Sequence, residues 1–486
     1  MRRAKIVCTI GPASESALVL RQLMQAGMDV ARLNLSHADQ AWHSDAVRRI
    51  RQVSGEVGRP VGILWDLSGP KLRVGRLPER GVVLRAGQEI VLTTRPVTGQ
   101  GAEVPVQYAA LPDHVRPGER ILMNDGLLEV QVLEVSGTDI RCQVIVGGLI
   151  ESNQGLNLPS ASLAIPAITP KDRDDLRCGL ELEVDWVALS FVRTADEVRE
   201  LKALIREYAP GRPETPVVSK IEKPEAVENI DSLVEASDGV MVARGDLGIE
   251  TSPEQVPIMQ KRIIGKCNQA GKPVITATQM LESMIHNPRP TRAEASDVAN
   301  AILDGTDALM LSGETAAGDY PVEAVRTMSH IVEYAEAQAA TVRPEPVRAP
   351  LERCDIAEAV SHAATETASD LGARAIITPT VSGYTAEMVA RYRPQAPIIA
   401  VTPSALTQRR LTLRWGVCAL LARRTANTDE MTGDAVQAAL AHGWVQPGDT
   451  VVVTGGSAGS PPRTTNMMTV RQVPVASQGP TSPQWL

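Results

Sequence analysis

Pairs of charged residues close several short aliphatic segments of this sequence. Lys220 and Glu222 end one segment, and Arg244 and Asp246 end the next. Side chains alternate between the two faces of a β-strand, so we expect each pair to face one site. Two carboxylates without a neighbouring His or Cys suit a hard cation such as Mg²⁺, which leaves coordination positions for phosphate. Glu222 and Asp246 are therefore the predicted metal ligands.

Positive charge is predicted around the same site. Arg32, Arg73, Arg244 and Lys220 would balance the charge of a phosphoryl donor, with Lys220 as a movable point charge. The other polar residues at segment ends are Asn34, Ser36, Asp66, Ser190, Thr278, Ser312 and Glu314. A single polar strand end is usually just solvated, whereas polar ends on nearly every segment indicate a shared site. The sequence has neither a P-loop nor a kinase His-Arg-Asp loop, which disfavours an ordinary ATPase.

The aliphatic segments alternate with amphipathic stretches, which is the pattern of parallel strands joined by helices. Helices are predicted at 16–26 and 41–56. The predicted strands are 5–9, 28–34, 61–67, 185–191, 216–222, 239–245, 273–279 and 308–312. These eight strands match the number that closes a (β/α)₈ TIM barrel, whose active site lies at the carboxyl ends of the strands. The predicted fold class is therefore α/β.

An insertion is predicted to interrupt the barrel. The barrel would cover 1–70 and 167–340, and the insertion 71–166 reads as a β-barrel-like lid domain because it lacks helical periodicity. The residues that bracket it as hinges are Gly69, Pro70, Pro159, Pro166 and Pro170. A Pro-rich linker is predicted at 338–350, a C-terminal α/β domain at 350–472 and a disordered tail at 473–486.

Composition narrows the class of protein. The chain has 486 residues, 43% of them hydrophobic and 22% charged, which is typical of globular proteins with several domains. A formal charge of −8 argues against a general nucleic-acid or membrane-surface binder. The six cysteines form no Cys-x-x-Cys pair, and no apolar run is as long as a membrane span. We therefore expect a cytoplasmic protein with reduced thiols.

Several motifs resemble those of the pyruvate kinase family. They are KIVCTIGP at 5–12, RLNLSH at 32–37, SKIE at 219–222, VARGDLG at 242–248, TATQM at 276–280 and NPRPTRAE at 287–294. The resemblance extends in family order over residues 4 to 470. It implies Mg²⁺-dependent phosphoryl transfer from phosphoenolpyruvate to ADP, giving pyruvate and ATP in glycolysis, with Mn²⁺ as an alternative metal and a homotetramer as the assembly.

The resemblance also implies individual roles. Glu222 and Asp246 would hold the metal, and Lys220 would stabilise the phosphoryl group and the enolate. The residues implied to contact phosphoenolpyruvate are Arg32, Lys220, Arg244, the Gly245 backbone, Asp246, Thr278, Ser190 and Ser312. Those implied to contact the nucleotide are Asn34, His37 and Arg73.

One departure concerns the monovalent cation. Asn34, Ser36, Asp66 and the carbonyl of Leu67 correspond to the K⁺ site of the family. K⁺-dependent members carry Glu where this chain has Lys71, so we expect the Lys71 ammonium to replace K⁺ and make the enzyme K⁺-independent. The alternative is a solvated surface lysine. Asn124 and Gln154 also depart from the family, which leaves the lid contacts open.

An effector site is implied in the C-terminal domain. Its residues would be Thr380, Ser382, Gly383 and Thr385, which precede a helix as a phosphate cradle, and Arg463. The alternative is an ordinary capped turn. Which phosphorylated effector binds is not written in the sequence.

Two other functions compete with the kinase. One is an aldol-type lyase, which would also use two metal carboxylates and a cation in a barrel. The other is an inactive homologue that only senses metabolites. Arg73 and the lid favour nucleotide use, and retention of Lys220, Glu222, Asp246 and Thr278 argues against an inactive homologue.

Overall fold

A computed structural model describes residues 2–124, 126–159, 165–342, 354–423, 427–461 and 463–475. The tail predicted at 473–486 lies outside these residues from 476 onward, and the predicted linker does so from 343 onward. The start of that linker was predicted wrongly, because a helix continues to Val342. Polar residues such as Gln338 belong to its last turns, where helix formers outweigh the polarity that suggested a linker.

The chain begins with alternating strands and helices. The elements are β1 Lys5–Thr9, α1 Ala17–Ala26, β2 Val30–Asn34, α2 Gln40–Val57 and β3 Gly62–Asp66. Side-chain caps fix where the helices start: Ser16 accepts a hydrogen bond from the Val19 amide, and Asp39 accepts one from the Trp42 amide. Gly58, at φ 71°, ends α2 in the left-handed conformation that glycine adopts most easily. The two predicted helices are thus confirmed.

The insertion is a β structure, as predicted. Its elements are β4 Leu72–Arg73, β5 Val82–Leu84, β6 Glu89–Thr93, β7 Glu103–Pro105, α3 Leu111–His114, β8 Arg120–Met123, β9 Leu128–Ser136, β10 Asp139–Val146, β11 Gly148–Ile150 and β12 Gly155–Asn157. Seven strands form one sheet in the order β4-β12-β8-β9-β10-β6-β7, and β5 pairs with β11. Alternating buried residues such as Leu128, Val130 and Val132 give this unit its own apolar core.

The chain then returns to the barrel. The elements are α4 Pro170–Glu181, β13 Trp186–Leu189, α5 Ala195–Tyr208, β14 Val217–Ile221, α6 Pro224–Glu228, α7 Ile230–Ala236, β15 Gly239–Ala243, α8 Arg244–Glu250, α9 Val256–Ala270, β16 Val274–Ala277, a 3₁₀ helix Glu282–Ile285, α10 Arg292–Asp304, β17 Ala308–Leu311, α11 Gly313–Ala316 and α12 Pro321–Val342. None of the helices in the described part of the chain is long and apolar enough to cross a membrane.

Eight parallel strands close the predicted barrel. The order around it is β1-β17-β16-β15-β14-β13-β3-β2, and closure comes from the pairing of Lys5 in β1 with Ala308 in β17. The interior contains apolar residues from successive strands, including Val30, Leu64 and Trp186. This packing fills the barrel and leaves the carboxyl ends of the strands as the place for a site.

The C-terminal segment forms a second α/β unit, as predicted. Its elements are α13 Ile356–Asp370, β18 Ala375–Pro379, α14 Tyr384–Arg391, β19 Ile398–Thr402, α15 Ala405–Arg410, a 3₁₀ helix Leu411–Leu413, β20 Val417–Leu421, α16 Thr428–Ala441, β21 Thr450–Gly455 and β22 Met467–Gln472. The sheet order is β20-β19-β18-β21-β22, with β22 antiparallel to its neighbour.

This unit docks against the amino ends of the barrel strands. Leu413 is fully buried and belongs to the same apolar cluster as Val30 and Leu64, so it closes the bottom of the barrel. Arg409 Nε lies 2.8 Å from Asp185 Oδ1, and Lys5 Nζ donates to the Val417 carbonyl at 2.7 Å. The apolar packing of Leu413 and the polar contacts of Arg409 and Lys5 together join the C-terminal unit to the barrel.

Asp29 carries a buried ion-pair network near the bottom of the barrel. Its carboxylate lies 2.7 Å from Arg2 and 2.8 Å from Arg59, and it accepts the Ile6 amide at 2.9 Å. Burial alone would raise the pKa of Asp29, but Arg2 and Arg59 outweigh it and lower that pKa to about 2. A carboxylate with a lowered pKa stabilises the fold above its ordinary pKa of 3.8, and this contribution is lost as the pH falls through about 2.

We predict that Asp29→Asn destabilises the protein at neutral pH by about 2 kcal/mol or more, because it removes the charge that Arg2 and Arg59 surround. Thermal unfolding followed by circular dichroism measures the loss. Asp45→Asn is the matched control, since the pair of Asp45 with Arg48 is exposed on the surface and is expected to contribute less than about 1 kcal/mol. Equal melting temperatures for the two variants would contradict this interpretation.

Candidate active site

Asp66, at the end of β3, is the buried anionic centre of the barrel mouth. Its side chain is fully inaccessible to solvent; Arg32 Nε lies 2.7 Å from Oδ2, and Lys220 Nζ lies 3.3 Å from Oδ1. Burial by itself would raise the pKa of Asp66, yet the charges of Lys220 and Arg32 lower it. Asp66 is thus held ionised, and it orients two cations that come from different strands.

Lys220 extends from β14 into the same network. Its ammonium lies 3.0 Å from Glu222 Oε1 and donates to Ser190 Oγ at 2.7 Å, while the Ser190 hydroxyl donates to the Leu67 carbonyl at 2.7 Å. Burial would lower the pKa of Lys220, but Asp66 and Glu222 raise it, so the ammonium stays charged. The contact between Lys220 and Glu222 agrees with their predicted common face.

Glu222 and Asp246 are the two carboxylates predicted to hold the metal. Glu222 is buried and accepts the Phe191 amide at 2.6 Å. Its pKa is raised, first by burial and also by the charge of Asp246, against the opposing effect of Lys220. A cation bound between two such carboxylates would relieve both effects, so these residues fit a hard divalent metal.

The number of carboxylates also fits such a metal. In the part of the chain that the structure describes, no group of three or more His, Cys, Asp or Glu side chains is arranged to hold an ion. A site built on Glu222 and Asp246 alone therefore leaves most coordination positions to water and ligand. Mg²⁺ commonly binds in this way at phosphate-transfer sites.

The strand-alternation prediction was wrong for Arg244 and Asp246. β15 ends at Ala243 and α8 begins at Arg244, so the alternation of a strand no longer applies there. Arg244 instead lies 2.7 Å from Asp297 and donates to the Thr278 carbonyl, also at 2.7 Å. Its contacts are with protein groups that shape the loop after β16.

Thr278 and Gly245 meet at the start of α8. The Gly245 amide donates to Thr278 Oγ1 at 2.8 Å, and a Cβ on residue 245 would lie 3.4 Å from that oxygen. Thr278 itself has a φ of 68°, an uncommon conformation for a branched residue. The neighbouring contacts of Arg244 hold the loop in this shape, and the threonine side chain is thereby placed beside the helix that carries Asp246.

Ser312 and Glu314 form a bracket at the end of β17. Glu314 is buried and accepts the amides of Ser312, at 2.7 Å, and of Leu281, at 3.1 Å. Burial raises the pKa of Glu314. The Ser312 hydroxyl is buried without a partner among the described groups. Glu314 therefore fixes two loops, and Ser312 offers an unused hydroxyl at the mouth.

The predicted nucleotide residues lie on the side of the mouth that faces the insertion. Asn34 Oδ1 accepts the Ser36 amide at 3.2 Å, which shapes the turn that carries His37. Partial burial and the charges of Arg73, Arg32 and Lys71 lower the pKa of His37. The cationic side chains of Arg73, Arg32 and Lys71 thus lie around His37.

Lys71 pairs with Asp246, which is not one of the residues of the predicted monovalent-cation site. Its ammonium is 3.2 Å from Asp246 Oδ1, whereas Asp66 is occupied by Arg32 and Lys220. Gly69 at φ 65° turns the chain toward this position, and a Cβ there would approach the Ser190 side chain within 2.9 Å. The positive charge of Lys71 therefore lies next to Asp246, one of the two predicted metal ligands.

The two atypical lid residues serve local structure. Asn124 has a φ of 52° in the turn between β8 and β9, a left-handed conformation that asparagine tolerates better than most residues. Gln154 Oε1 accepts the Glu151 amide at 3.1 Å within its own turn. Arg73, in β4, donates to the Asn153 carbonyl at 2.8 Å, which ties it to the same turn.

The C-terminal unit contains a cavity of about 300 Å³ at the predicted effector position. Thr380, Ser382, Thr385 and Arg463 line it. Gly383, at φ 89°, makes the turn into α14. The Thr385 hydroxyl is hydrogen-bonded to Thr465 Oγ1 at 2.8 Å. Arg463 lies 5.0 Å above the Tyr384 ring.

Some residues of the site were not found by sequence reasoning. Thr9 Oγ1 accepts a hydrogen bond from Arg32 Nη1 at 2.9 Å, and Asp297 holds Arg244. Thr9 ends a predicted strand, so the strand-end rule points to it. Asp297 lies within a helix remote in sequence, and no local signal connects it to the site.

Comparison with known proteins gives the family. The family model for the pyruvate kinase barrel domain matches residues 1–325, and the family model for the pyruvate kinase alpha/beta domain matches residues 358–471. The chain belongs to the pyruvate kinase family. The resemblance inferred from the motifs is therefore confirmed, as is the enzyme class.

Bacterial pyruvate kinases resemble the chain over nearly all of its length. The pyruvate kinase of Bacillus licheniformis is 46% identical over 472 residues, covering 97% of this chain and 80% of the relative. The one from Geobacillus stearothermophilus is 47% identical over 474 residues, with coverage of 97% and 80%. Pyruvate kinase 2 of Synechocystis is 48% identical over 476 residues, with coverage of 97% and 79%.

Proposed function

We propose that this pyruvate kinase transfers a phosphoryl group from phosphoenolpyruvate to ADP in glycolysis, with Mg²⁺ held by Glu222 and Asp246. The observation that carries the proposal is the convergence of Lys220 on Asp66 and Glu222 in the barrel mouth. Phosphoryl transfer needs little covalent chemistry from the protein, so fixed charges supply most of the stabilisation. The bound metal would neutralise phosphate charge and polarise the transferring oxygens.

The roles of the chain's own residues follow from their positions. Lys220 is buried, charged and fixed by two carboxylates, which suits it to stabilise the phosphoryl group and the developing enolate. Arg32, held by Asp66 and Thr9, would bind the phosphate. Thr278 and the Gly245 amide would contact the substrate near the carbon that is protonated. Ser190 stands at the end of β13 and Ser312 at the end of β17, and Arg244 acts by shaping the Thr278 loop.

A coupled assay for pyruvate tests this function. We predict ADP-dependent pyruvate formation that stops on chelation of divalent metal, and that Lys220→Met lowers kcat about 100- to 1000-fold by removing the charge aimed at the transferring group. Arg199→Ala, on the exposed face of α5, is the control and retains kcat. Pyruvate release without ADP would favour a lyase. Metabolite binding without any turnover would favour an inactive sensing protein.

We further propose that the enzyme does not require K⁺, because Lys71 supplies a fixed positive charge to the site. The 3.2 Å contact of its ammonium with Asp246 and its effect on the pKa of His37 support a position facing the phosphates. Asn34, Ser36, Asp66 and the Leu67 carbonyl would otherwise form a monovalent-cation site, but Arg32 and Lys220 already compensate Asp66.

Replacing the lysine tests this proposal. We predict equal wild-type rates in potassium and tetramethylammonium salts, and a Lys71→Glu variant whose rate falls about tenfold or more without K⁺ and recovers with it. Lys71→Arg retains the charge and should remain insensitive to K⁺. Strong potassium activation of the wild type would refute the role of Lys71.

The C-terminal cavity is proposed to bind a phosphorylated effector. Hydroxyls of Thr380 and Ser382 at the turn before α14, together with the Arg463 guanidinium, are supporting features for phosphate recognition. An effector bound there would be coupled to the barrel through α15, since Thr407 donates to the Val381 carbonyl at 2.8 Å and Arg409 pairs with Asp185. A homotetramer and a cytoplasmic location also remain proposals.

Calorimetric titration with a sugar phosphate and a nucleoside monophosphate tests the effector site. We predict that one of them binds and that Arg463→Ala weakens its affinity about tenfold or more, because a charge-assisted contact to phosphate is lost. Arg471→Ala, on the exposed β22, is the control. Unchanged affinity in the Arg463 variant would place phosphate recognition elsewhere.

A further inference from the structure

A second buried charge cluster lies between the metal carboxylates and the insertion. Glu250 Oε1 accepts a hydrogen bond from Asn157 Nδ2 at 2.8 Å and lies 2.8 Å from Lys223 Nζ. The Glu250 side chain is 3% exposed and that of Lys223 18%. The sequence motifs gave no reason to single out any of these three residues.

Each member of the cluster belongs to a different part of the site. Glu250 is the last residue of α8, whose first turn contains Asp246. Lys223 directly follows Glu222. The contact between Glu250 and Lys223 therefore ties together the two segments that carry the metal carboxylates, and it fixes the distance between them in a way that neither segment can do alone.

The third member connects this tie to the insertion. Asn157 ends β12, whose Gly155 pairs with Arg73 in β4. A hydrogen bond from Asn157 to Glu250 therefore joins the sheet that carries a predicted nucleotide contact to the helix that carries Asp246. The side-chain amide oxygen Oδ1 of Asn157 is buried without a partner among the described groups.

The physics of buried charge makes the cluster rigid. An ionised carboxylate in such a site is stable only while its partners remain, since loss of one leaves an unpaired buried charge. Glu250 will therefore hold Lys223 and Asn157 at fixed distances. A cavity of about 40 Å³ lies against the cluster, and its lining includes all three members together with Lys71 and Phe191.

We propose that Glu250 is a positioning residue that sets the geometry of the metal site through Lys223 and relays the position of the insertion to that site through Asn157. The inference rests on the proposed function, because it takes Glu222 and Asp246 as the metal ligands. Glu250 contacts neither metal nor substrate in this scheme. It acts through the backbone segments on which the ligands stand.

Metal binding without substrates tests the inference directly. Mn²⁺ affinity, measured by electron paramagnetic resonance on the full chain, is expected to weaken about 10- to 100-fold in Glu250→Gln, as for other residues that orient metal ligands. Lys223→Met should weaken it similarly, and the double variant should be no weaker than the worse single one, because both remove the same tie. Glu228→Gln is the control and should leave the Mn²⁺ affinity unchanged. Glu228 is exposed at the end of α6, the helix that directly follows Lys223.

The hydrogen bond from Asn157 to Glu250 is tested by a separate variant. Asn157→Leu keeps the branched shape of the side chain but cannot donate the hydrogen bond. It should leave Mn²⁺ affinity within about twofold and raise the KM for ADP several-fold, with little change in the KM for phosphoenolpyruvate. A purely structural cluster would instead lower the melting temperature of all these variants and leave Mn²⁺ affinity and the KM values unchanged.

The outcomes separate this inference from the proposed function. Unchanged Mn²⁺ affinity in folded Glu250→Gln and Lys223→Met, with an active wild type, would overturn the positioning role alone. A wild type that binds Mn²⁺ but forms no pyruvate would refute the function and leave the positioning result standing. If Glu250→Gln fails to fold by circular dichroism, Lys223→Met provides the same measurement, because its side chain is partly exposed.

Discussion

The ion pair between Lys220 and the carboxylates of Asp66 and Glu222 is the interaction on which this active site depends. It brings together residues from two barrel strands and from the segment that follows one of them, and all of them are buried. A charged lysine is costly to bury without partners, and an unpaired carboxylate equally so. Each group therefore requires the others, and the network is held in one arrangement before any ligand arrives. Such preorganisation is what electrostatic catalysis needs, because no dipole must then reorient during the reaction.

The packed barrel supports this buried charge network. Eight strands close through the pairing of β1 with β17, and apolar side chains fill the interior below the charged mouth. Leu413 from the C-terminal unit completes that interior at the opposite end. The same apolar core therefore supports the active site and holds the C-terminal unit in place. α15 and the 3₁₀ helix that follows it lie against β3, whose carboxyl end carries Asp66.

Charge also organises the edge of the site that faces the insertion. Lys71 pairs with Asp246, while Glu250 joins Lys223 and Asn157. These contacts place two cations from different segments against the carboxylates around α8. The short helix α8 carries Asp246 in its first turn and Glu250 at its end, where Asn157 of the insertion donates a hydrogen bond to Glu250.

The sequence by itself determined the eight strands, the first two helices, the β insertion and the C-terminal α/β unit, since each is encoded by local periodicity and caps. It also determined the common direction of Lys220 and Glu222, because one strand and its immediate end carry both. Only the tertiary structure decided what Arg244, Lys71 and Glu250 contact. The chain turns into a helix at Arg244, so strand alternation fails there, and the partners Asp297, Asp246 and Asn157 come from remote segments. Periodicity describes neighbours along the chain, whereas a buried charge finds its partner wherever folding brings one within reach.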